Sequence, residues 1–375
     1  VRKRTRVAII GALAALSLLA AACGDDDDTT SGTSGNGDGG GGGGKQTCTQ
    51  EVTEEQMSIV DTNGDGKLTI AVATPGSRDD GGYYQALVEC VERLTDKNGG
   101  EAIIVDQIPA ADAATQIENL AKRGPDIMMI GASEIGQSLP DLAAKYSDIF
   151  WYCNCGAGTQ PDPNFAQSND DGSEINFTAG YATGLLLKEA GKDSVAFIGN
   201  NNFNFEVESY EAFKLGLQEV DPSFEVDYYA TGSFEDVQAA TEAYNTAKGQ
   251  GVGAVYPFLG GALEPIVKLA NQDGIITMSA GKSDVCEDGA GLDYQIAVRF
   301  DAGDYLDTIF TEILSGKFKE GDVRTFHVGQ DPEPGAIICD PTDEQQAAMD
   351  EVYERVGSGE LNDAFFEIKK KAYNF

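Results

Sequence analysis

Histidine is almost absent from this chain, since His327 is the only one among 375 residues. Ser-His-Asp and Cys-His catalytic arrangements could use only that residue, and an H-E-x-x-H or His-rich metal site is excluded. The sequence contains no G-x-S-x-G motif, and its G-x-G-x-x-G at residues 35–40 lies in a glycine-rich run with neither a strand before it nor a helix after it. These absences favour a binding protein over an enzyme. The 62 acidic residues leave a hydrolase with paired carboxylates open.

Basic residues are also scarce. The chain holds 26 Lys and Arg against 62 Asp and Glu, which gives a net charge of −36. Such a charge argues against a nucleic-acid partner or an anionic lipid surface and favours solubility outside the cell. After the N-terminus, no segment is apolar and long enough to cross a bilayer.

The first 23 residues predict an export signal rather than part of the fold. Four basic residues precede an apolar run at 7–22, and residues 19–23 resemble a bacterial lipobox, whose cysteine is acylated. The run is short for an uncleaved membrane helix. We expect a lipoprotein signal peptide at 1–23, lipidation at Cys23 and a flexible Gly/Asp/Ser tether at 24–46. The protein would then be anchored in the cell membrane through its lipid, on the extracytoplasmic face.

Six further cysteines are an even number, which is typical of disulfides in an exported protein. They are Cys48, Cys90, Cys153, Cys155, Cys286 and Cys339. Cys153 and Cys155 follow a strand pattern, and in an extended segment they share a face but cannot easily join each other. We expect Cys48 to pair with Cys90, and Cys153 and Cys155 to pair with the remaining two. Buried free thiols are the alternative.

Short apolar strands alternate with amphipathic helices along most of the chain, which predicts an α/β fold with parallel, doubly wound sheets. In the first unit, residues 68–94, a buried strand leads through a glycine-rich loop into a helix. Open α/β sheets bind small polar ligands at such loops. We predict lobe 1 at 47–155 with 296–345, lobe 2 at 156–295 after a strandless crossing at 156–173, and C-terminal helices at 342–375 packed on lobe 1.

Several motifs, in order and at similar spacing, resemble those of the basic membrane protein (BMP) lipoproteins. These are substrate-binding proteins of ABC importers and include purine nucleoside receptors. The motifs are F-T-A-G-Y-A-T-G at 177–184, S-V-A-F-I-G at 194–199, G-S-F-E-D at 232–236 and S-G-K-F-K at 315–319. The resemblance implies a two-lobed periplasmic-binding-protein fold of type I with hinge crossings. It also implies an ABC permease partner, a nucleoside-like small molecule as ligand, and no cofactor.

The same resemblance implies a set of ligand-binding residues. The residues at matching positions are Asp79, Asp80, Tyr83, Tyr84, Asn154, Phe203, Phe205, Gly260, Asp284 and Arg299. Tyr83 would stack on a base, with Phe203 or Phe205 as the second ring. Asp284 and Arg299 would hold a ribose, because a carboxylate accepts from paired hydroxyls and a guanidinium donates in a fixed fork.

The sequence departs from the family pattern at C-N-C in 153–155, which replaces the usual residues at a base-facing strand end, at Arg299, which replaces a Lys, and most importantly at Pro75. Pro75 stands where the family has an Asp that contacts the base, and proline offers neither a side-chain acceptor nor an N–H. The identity of the base is therefore open, while a cleft for a small polar ligand remains the prediction. A ligand sensor that presents its closed form to a membrane receptor is the alternative function, and an exported hydrolase ranks third.

Residues 61–69 match the first nine places of a calcium loop. Asp61, Asn63 and Asp65 would supply oxygen ligands, and glycine occupies the sixth place. The twelfth place is Val72 instead of a bidentate Glu. A solvated turn is therefore the favoured interpretation, and a calcium site the alternative.

Overall fold

The computed structural model describes residues 47–156, 159–200, 203–287 and 289–374. The chain divides into two units, Val1–Gly42 and Gly43–Phe375, and everything described below belongs to the second. The predicted signal peptide, lipidation site at Cys23 and tether lie outside the described residues. Within those four ranges, no helix combines the length and the apolar character needed to cross a membrane.

Eleven α-helices and twelve strands occur within these ranges. The helices are α1 (Glu54–Val60), α2 (Tyr83–Lys97), α3 (Ala113–Ala121), α4 (Leu139–Lys145), α5 (Gly172–Ala190), α6 (Asn204–Val220), α7 (Val237–Gln250), α8 (Leu263–Asp273), α9 (Ala302–Leu314), α10 (Asp343–Gly357) and α11 (Asn362–Tyr373). The strands are β1 (Thr69–Ala73), β2 (Glu101–Val105), β3 (Ile127–Ile130), β4 (Phe150–Asn154), β5 (Ala166–Asp170), β6 (Ser194–Gly199), β7 (Glu225–Ala230), β8 (Ala254–Pro257), β9 (Ile276–Thr277), β10 (Ile296–Arg299), β11 (Val323–Phe326) and β12 (Gly335–Ile338). A short 3₁₀ helix (Ser133–Ser138) follows β3.

Lobe 1 is built on a six-stranded sheet in the order β11-β5-β4-β3-β1-β2, in which neighbouring strands are parallel. The central strands β1 and β3 are buried along their whole length and are therefore apolar on both faces. Helices α2 and α9 cover one face of the sheet, and α3 and α4 cover the other. The carboxyl ends of β1, β3, β4 and β5 thus meet at one edge.

Lobe 2 is built on a parallel four-stranded sheet in the order β7-β6-β8-β9. Its tightest packing is between α5 and α6, where glycines let the two backbones approach. A Cβ atom at Gly180 would lie 2.8 Å from the backbone nitrogen of Leu217, and one at Gly216 would lie 2.9 Å from that of Tyr181. These glycines belong to the 177–184 motif and the segment that faces it, so close helix contact explains them physically.

Three described segments join the lobes, and they revise the predicted lobe boundaries. They follow β5, β10 and β11, at residues 171, 300–301 and 327–334. The stretch 156–173, predicted to lack strands, contains β5, which is polar but pairs with β4 and β11. Strands β10 and β12, predicted for lobe 1, pair with each other, and Ile296 of β10 bridges Met278 beyond β9. Both strands therefore extend lobe 2.

The C-terminal helices differ from the prediction as well, because they pack on lobe 2. Helix α10 contacts α5, and α11 contacts α6. Phe365 of α11 meets the ring of Phe177 on α5, with ring centroids 5.6 Å apart. The chain enters α10 from β12, which already lies beside α5, so lobe 2 is the nearest surface for the apolar faces of both helices.

The structure joins the six described cysteines in three disulfides. Cys48 pairs with Cys90, which is the predicted pairing, and Cys286 pairs with Cys339. The prediction that Cys153 and Cys155 reach distant partners is wrong, because they pair with each other. An extended segment would hold residues two apart at about 6.6 Å. Strand β4 ends at Asn154, and the two Cα atoms are only 5.1 Å apart.

Candidate ligand-binding cleft

A cavity of about 170 Å³ is lined by residues of both lobes. Its aromatic side chains are Tyr83, Tyr84, Phe205, Phe234, Phe258, Phe300 and Tyr373, its carboxylates are Asp80, Glu134, Asp170 and Glu208, and its other polar side chains are Ser133, Asn154, Asn176 and Ser209. Lobe 1 contributes the loop before α2 and the ends of β3, β4 and β5. Lobe 2 contributes α5, α6 and the loops after β7 and β8.

The loop between β1 and α2 is organised by Asp80, which is 2% exposed. Its carboxylate accepts hydrogen bonds from the N–H groups of Gly82, Tyr84 and Gln85 at 2.9–3.2 Å. These donors lie at the start of α2, where helices have N–H groups without intrahelical partners. Burial raises the pKa of Asp80 to about 6, against the lowering effect of these bonds. The network fixes the first turn of α2 and the two tyrosines on it.

Aromatic rings form a continuous row across the cavity. From lobe 1, Tyr83 lies 6.2 Å from Phe300 between ring centroids, and Phe300 lies 5.8 Å from Phe258. In lobe 2 the row continues from Phe258 to Phe205 at 6.3 Å, and Phe205 is stacked with Phe234. Rings at these spacings offer flat apolar faces to a planar ligand. The row therefore suits a ring that lies between the lobes.

Two carboxylates occupy the hinge end of the cavity. Asp170, the last residue of β5, accepts a hydrogen bond from the Tyr305 hydroxyl at 3.1 Å, and burial raises its pKa to about 7. Glu208 on α6 accepts from the Ser173 N–H at 3.0 Å and from the Tyr373 hydroxyl at 2.9 Å. Burial also raises the pKa of Glu208.

A third carboxylate, that of Glu134, lies beyond the end of β3. Tyr84 and Ser133 hydrogen-bond to it, and burial raises its pKa. None of the described residues that line the cavity is Lys, Arg or His. The lining is therefore acidic and aromatic.

Asn154 presents an unsatisfied donor to the cavity. It ends β4, is 5% exposed, and its Nδ2 atom has no hydrogen-bond partner among the described residues. A buried polar atom without a partner costs about 1–3 kcal/mol. An acceptor on a bound ligand would remove that cost.

The structure brings six of the ten predicted binding residues to this cavity. They are Asp80, Tyr83, Tyr84, Asn154, Phe205 and Gly260. Asp79 is exposed and lies outside the cavity. Phe203 lies behind the lining and stacks on Phe205 at 5.2 Å. Of the two candidate second rings, Phe205 is the one that faces the ligand space.

The two residues expected to hold a ribose lie elsewhere. Asp284 has a side chain that is 51% exposed, 3.7 Å from Lys282. Arg299 donates to the carbonyl of Gly335 and to the hydroxyl of Tyr353, each at 3.0 Å. It therefore ties β10 to β12 and α10, and neither residue lines the cavity.

Sequence reasoning missed several lining residues. Glu134 and Phe258 follow β3 and β8, and the rule that ligands bind at the carboxyl ends of strands could have indicated them. Asp170 ends β5, the strand that was not predicted. Tyr373 lies on α11 and reaches the cavity only because α11 packs on lobe 2, for which the sequence carries no local signal.

The candidate calcium loop at 61–69, for which a solvated turn was the favoured interpretation, has the hydrogen bonds of an exposed turn. The Asp61 carboxylate accepts from the N–H groups of Gly64 and Gly66, and Asp65 accepts from that of Lys67.

A second candidate metal site is the group formed by Asp171, Glu174 and His327, whose possible ligand atoms lie within 4.8 Å of one another. Lys369 already contacts Asp171, and the Val328 N–H donates to Glu174. Protein partners thus satisfy both groups.

Comparison with known proteins identifies the fold and its family. A family model described as "Bmp: ABC transporter substrate-binding protein PnrA-like" matches residues 67–331. Solved structures with the same fold include ABC transporter solute-binding proteins from Conexibacter woesei DSM 14684 and Aeropyrum pernix K1. The first is 20% identical, with a TM-score of 0.61 over 78% of this chain and 97% of that one. The second is 13% identical, with a TM-score of 0.67 over 81% and 98%.

A periplasmic arabinose-binding protein from Shewanella sp. ANA-3 is similar at a TM-score of 0.51 and 14% identity, over 78% of this chain and 98% of that one. These neighbours are periplasmic binding proteins of type I and confirm the predicted fold class. The family match confirms the resemblance on which the predicted binding residues depend.

Proposed function

The chain belongs to the family of PnrA-like ABC transporter substrate-binding proteins, and from this premise we propose that it captures a small, polar, ring-bearing metabolite such as a nucleoside. The family implies a small-molecule ligand and an ABC permease as partner. The observation that carries the proposal is the row of rings from Tyr83 through Phe258 to Phe205, because it spans both lobes at one cavity. We further propose that an acyl group on Cys23 holds the protein on the extracytoplasmic face of the membrane.

Ligand contacts on both sides of the cleft supply a reason for hinge closure. A ring between Tyr83 and Phe205 would gain contacts only when both lobes surround it, so the closed form binds more tightly than the open one. The ligand-bound, closed surface is then the form that the permease receives.

A thermal-shift panel on the purified protein tests the proposal. The panel contains nucleosides, free bases, pentoses and hexoses. A ligand at 100 times its dissociation constant stabilises the folded state by about 2.7 kcal/mol, which corresponds to several degrees in Tm. We expect a ring-bearing compound to raise Tm and Tyr83→Ala to abolish the shift.

Tyr229→Ala is the matched control, since Tyr229 donates to Gln250 on the surface of lobe 2 and does not line the cavity. It should leave the ligand-induced shift unchanged. The proposal is wrong if only sugars shift Tm, or if Tyr83→Ala keeps the full response to a ring-bearing compound.

A further inference from the structure

All charged side chains among the described residues that line the cavity are acidic. Asp80, Glu134, Asp170 and Glu208 come from four separate parts of the chain: the loop before α2, the 3₁₀ helix, β5 and α6. Among the described residues, the lining contains no basic side chain to oppose them. Because four independent elements each bring a carboxylate to one cavity, the acidity belongs to the site and not to a single acidic segment.

Basic side chains near the hinge end lie outside the lining. Lys369 contacts Asp171, and its charge also favours the ionised form of Glu208, while the Nδ1 atom of His327 lies 3.1 Å from Glu174. Buried carboxylates are costly unless they are hydrogen-bonded and paired with a positive charge. The bonds from Tyr305 and Ser173 meet the first requirement for Asp170 and Glu208. Lys369 acts on Glu208 from outside the cavity, and no basic side chain of the described lining meets the second requirement for Asp170.

Aromatic faces and carboxylates together form the kind of lining that recognises organic cations. A cation above an aromatic face is attracted by the ring quadrupole, and the attraction grows when water is excluded. Tyr83, Phe300 and Phe258 offer such faces in the cavity that the four carboxyl groups also line. The free Nδ2 donor of Asn154 adds a place for one hydrogen-bond acceptor.

We propose that the ligand of this cavity is a ring-bearing organic cation with at least one hydrogen-bond acceptor. The inference rests on the proposed function and narrows its substrate class. A neutral nucleoside would donate hydroxyls to the carboxyl groups, whereas a cation would also stabilise their ionised form, which burial disfavours. A cation satisfies the carboxylates, the ring faces and the Asn154 donor together.

Matched pairs of compounds that differ in charge test this proposal by isothermal titration calorimetry on the purified protein. One pair is nicotinamide and its N-methyl pyridinium cation, and the other is tyrosol and tyramine, which both keep a phenolic oxygen as acceptor. Inosine is included as a neutral nucleoside. We expect the cationic member of a pair to bind at least about tenfold more tightly than the neutral member, because ion pairs with the carboxylates and cation–π contacts act only on the cation.

Two isosteric variants test whether the preference for a cation arises from carboxylates of this cavity. Asp170→Asn keeps an acceptor for the Tyr305 hydroxyl, and Glu134→Gln keeps one for Tyr84, while each removes a negative charge. Each should weaken cation binding severalfold and change binding of the neutral member by a smaller factor. Asp79→Asn is the matched control, because Asp79 is exposed outside the cavity, and it should change neither.

The outcomes separate this inference from the proposed function. If inosine or another neutral member binds as tightly as the cations, the inference is overturned while capture of a ring-bearing metabolite stands. The inference is also overturned if Asp170→Asn and Glu134→Gln leave the cation preference intact. If no ring-bearing compound of either charge binds, the proposed function fails and this inference fails with it.

Discussion

The contact between α5 and α6 makes Gly216→Ala a sharp test of how lobe 2 is held together. A Cβ atom at this position would overlap the carbonyl group of Phe177 and lie 2.9 Å from the backbone nitrogen of Tyr181. Both obstacles are backbone atoms of a long helix, so no side-chain rotation can relieve them. The two helices must therefore separate locally, which loosens the packing around Phe177 and Phe213.

The expected change in the free energy of unfolding is the difference between two opposing effects. Overpacking a well-packed contact costs about 1–3 kcal/mol. Replacing glycine by alanine within a helix stabilises the folded protein by about 0.5–1 kcal/mol. We expect Gly216→Ala to lower the free energy of unfolding by about 1–2 kcal/mol, measured by urea denaturation.

Gly249→Ala is the matched control, since Gly249 lies in α7 and a Cβ atom there would have no neighbour within 4 Å. This control should be as stable as the original protein or more stable by up to about 1 kcal/mol. Equal effects of the two substitutions would refute the argument, because helix propensity alone would then explain both. A Gly216→Ala protein as stable as the original would refute it as well.

Three further predictions concern the disulfides, the cavity and pH. Replacing Cys48 and Cys90 by Ala should cost about 4 kcal/mol in urea denaturation because their bridge closes a long loop, whereas replacing Cys153 and Cys155 should cost far less. Equal losses would contradict this. Asn154→Ala should leave the ligand-free protein at least as stable, because it removes a buried donor without a partner, while calorimetry shows weaker ligand binding. A large loss of stability would show that the donor is satisfied. Burial raises the pKa of Asp170 to about 7, so the stability it contributes is fully present below about pH 4 and is lost as pH rises through about 7. Ionisable groups that interact with Asp170 are Asp171, Glu208, Tyr83, Tyr305 and Tyr373. Asp170→Asn should make Tm between about pH 5 and 8 less dependent on pH, and an unchanged profile would contradict the assignment.

Local periodicity was enough to predict the first unit. The predicted strand and helix in 68–94 appear as β1 and α2, because a short continuous apolar run and a one-sided helix face are properties of neighbouring residues. The β1–α2 loop was also found from its position at a strand end, and Asp80, Tyr83 and Tyr84 line the cavity as a result.

Elements with distant partners could not be predicted in this way. Strand β5 has the polar sequence A-Q-S-N-D, and its strand character comes from pairing with β4 and with β11, which lies about 150 residues later in the chain. Missing β5 concealed Asp170. Predicting α11 on lobe 1 concealed Tyr373, and the assumption of an extended chain at 153–155 gave the wrong cysteine partners.

The predicted and the missed residues differ most in their share of the carboxylates. Three of the six lining residues found from the sequence are rings, Tyr83, Tyr84 and Phe205, which suit many flat ligands. Those missed include three of the four carboxylates, Glu134, Asp170 and Glu208, which lie on three separate elements. Family resemblance therefore transfers the general capacity to hold a ring, while the charge preferred in the ligand depends on side chains that only the assembled fold brings together.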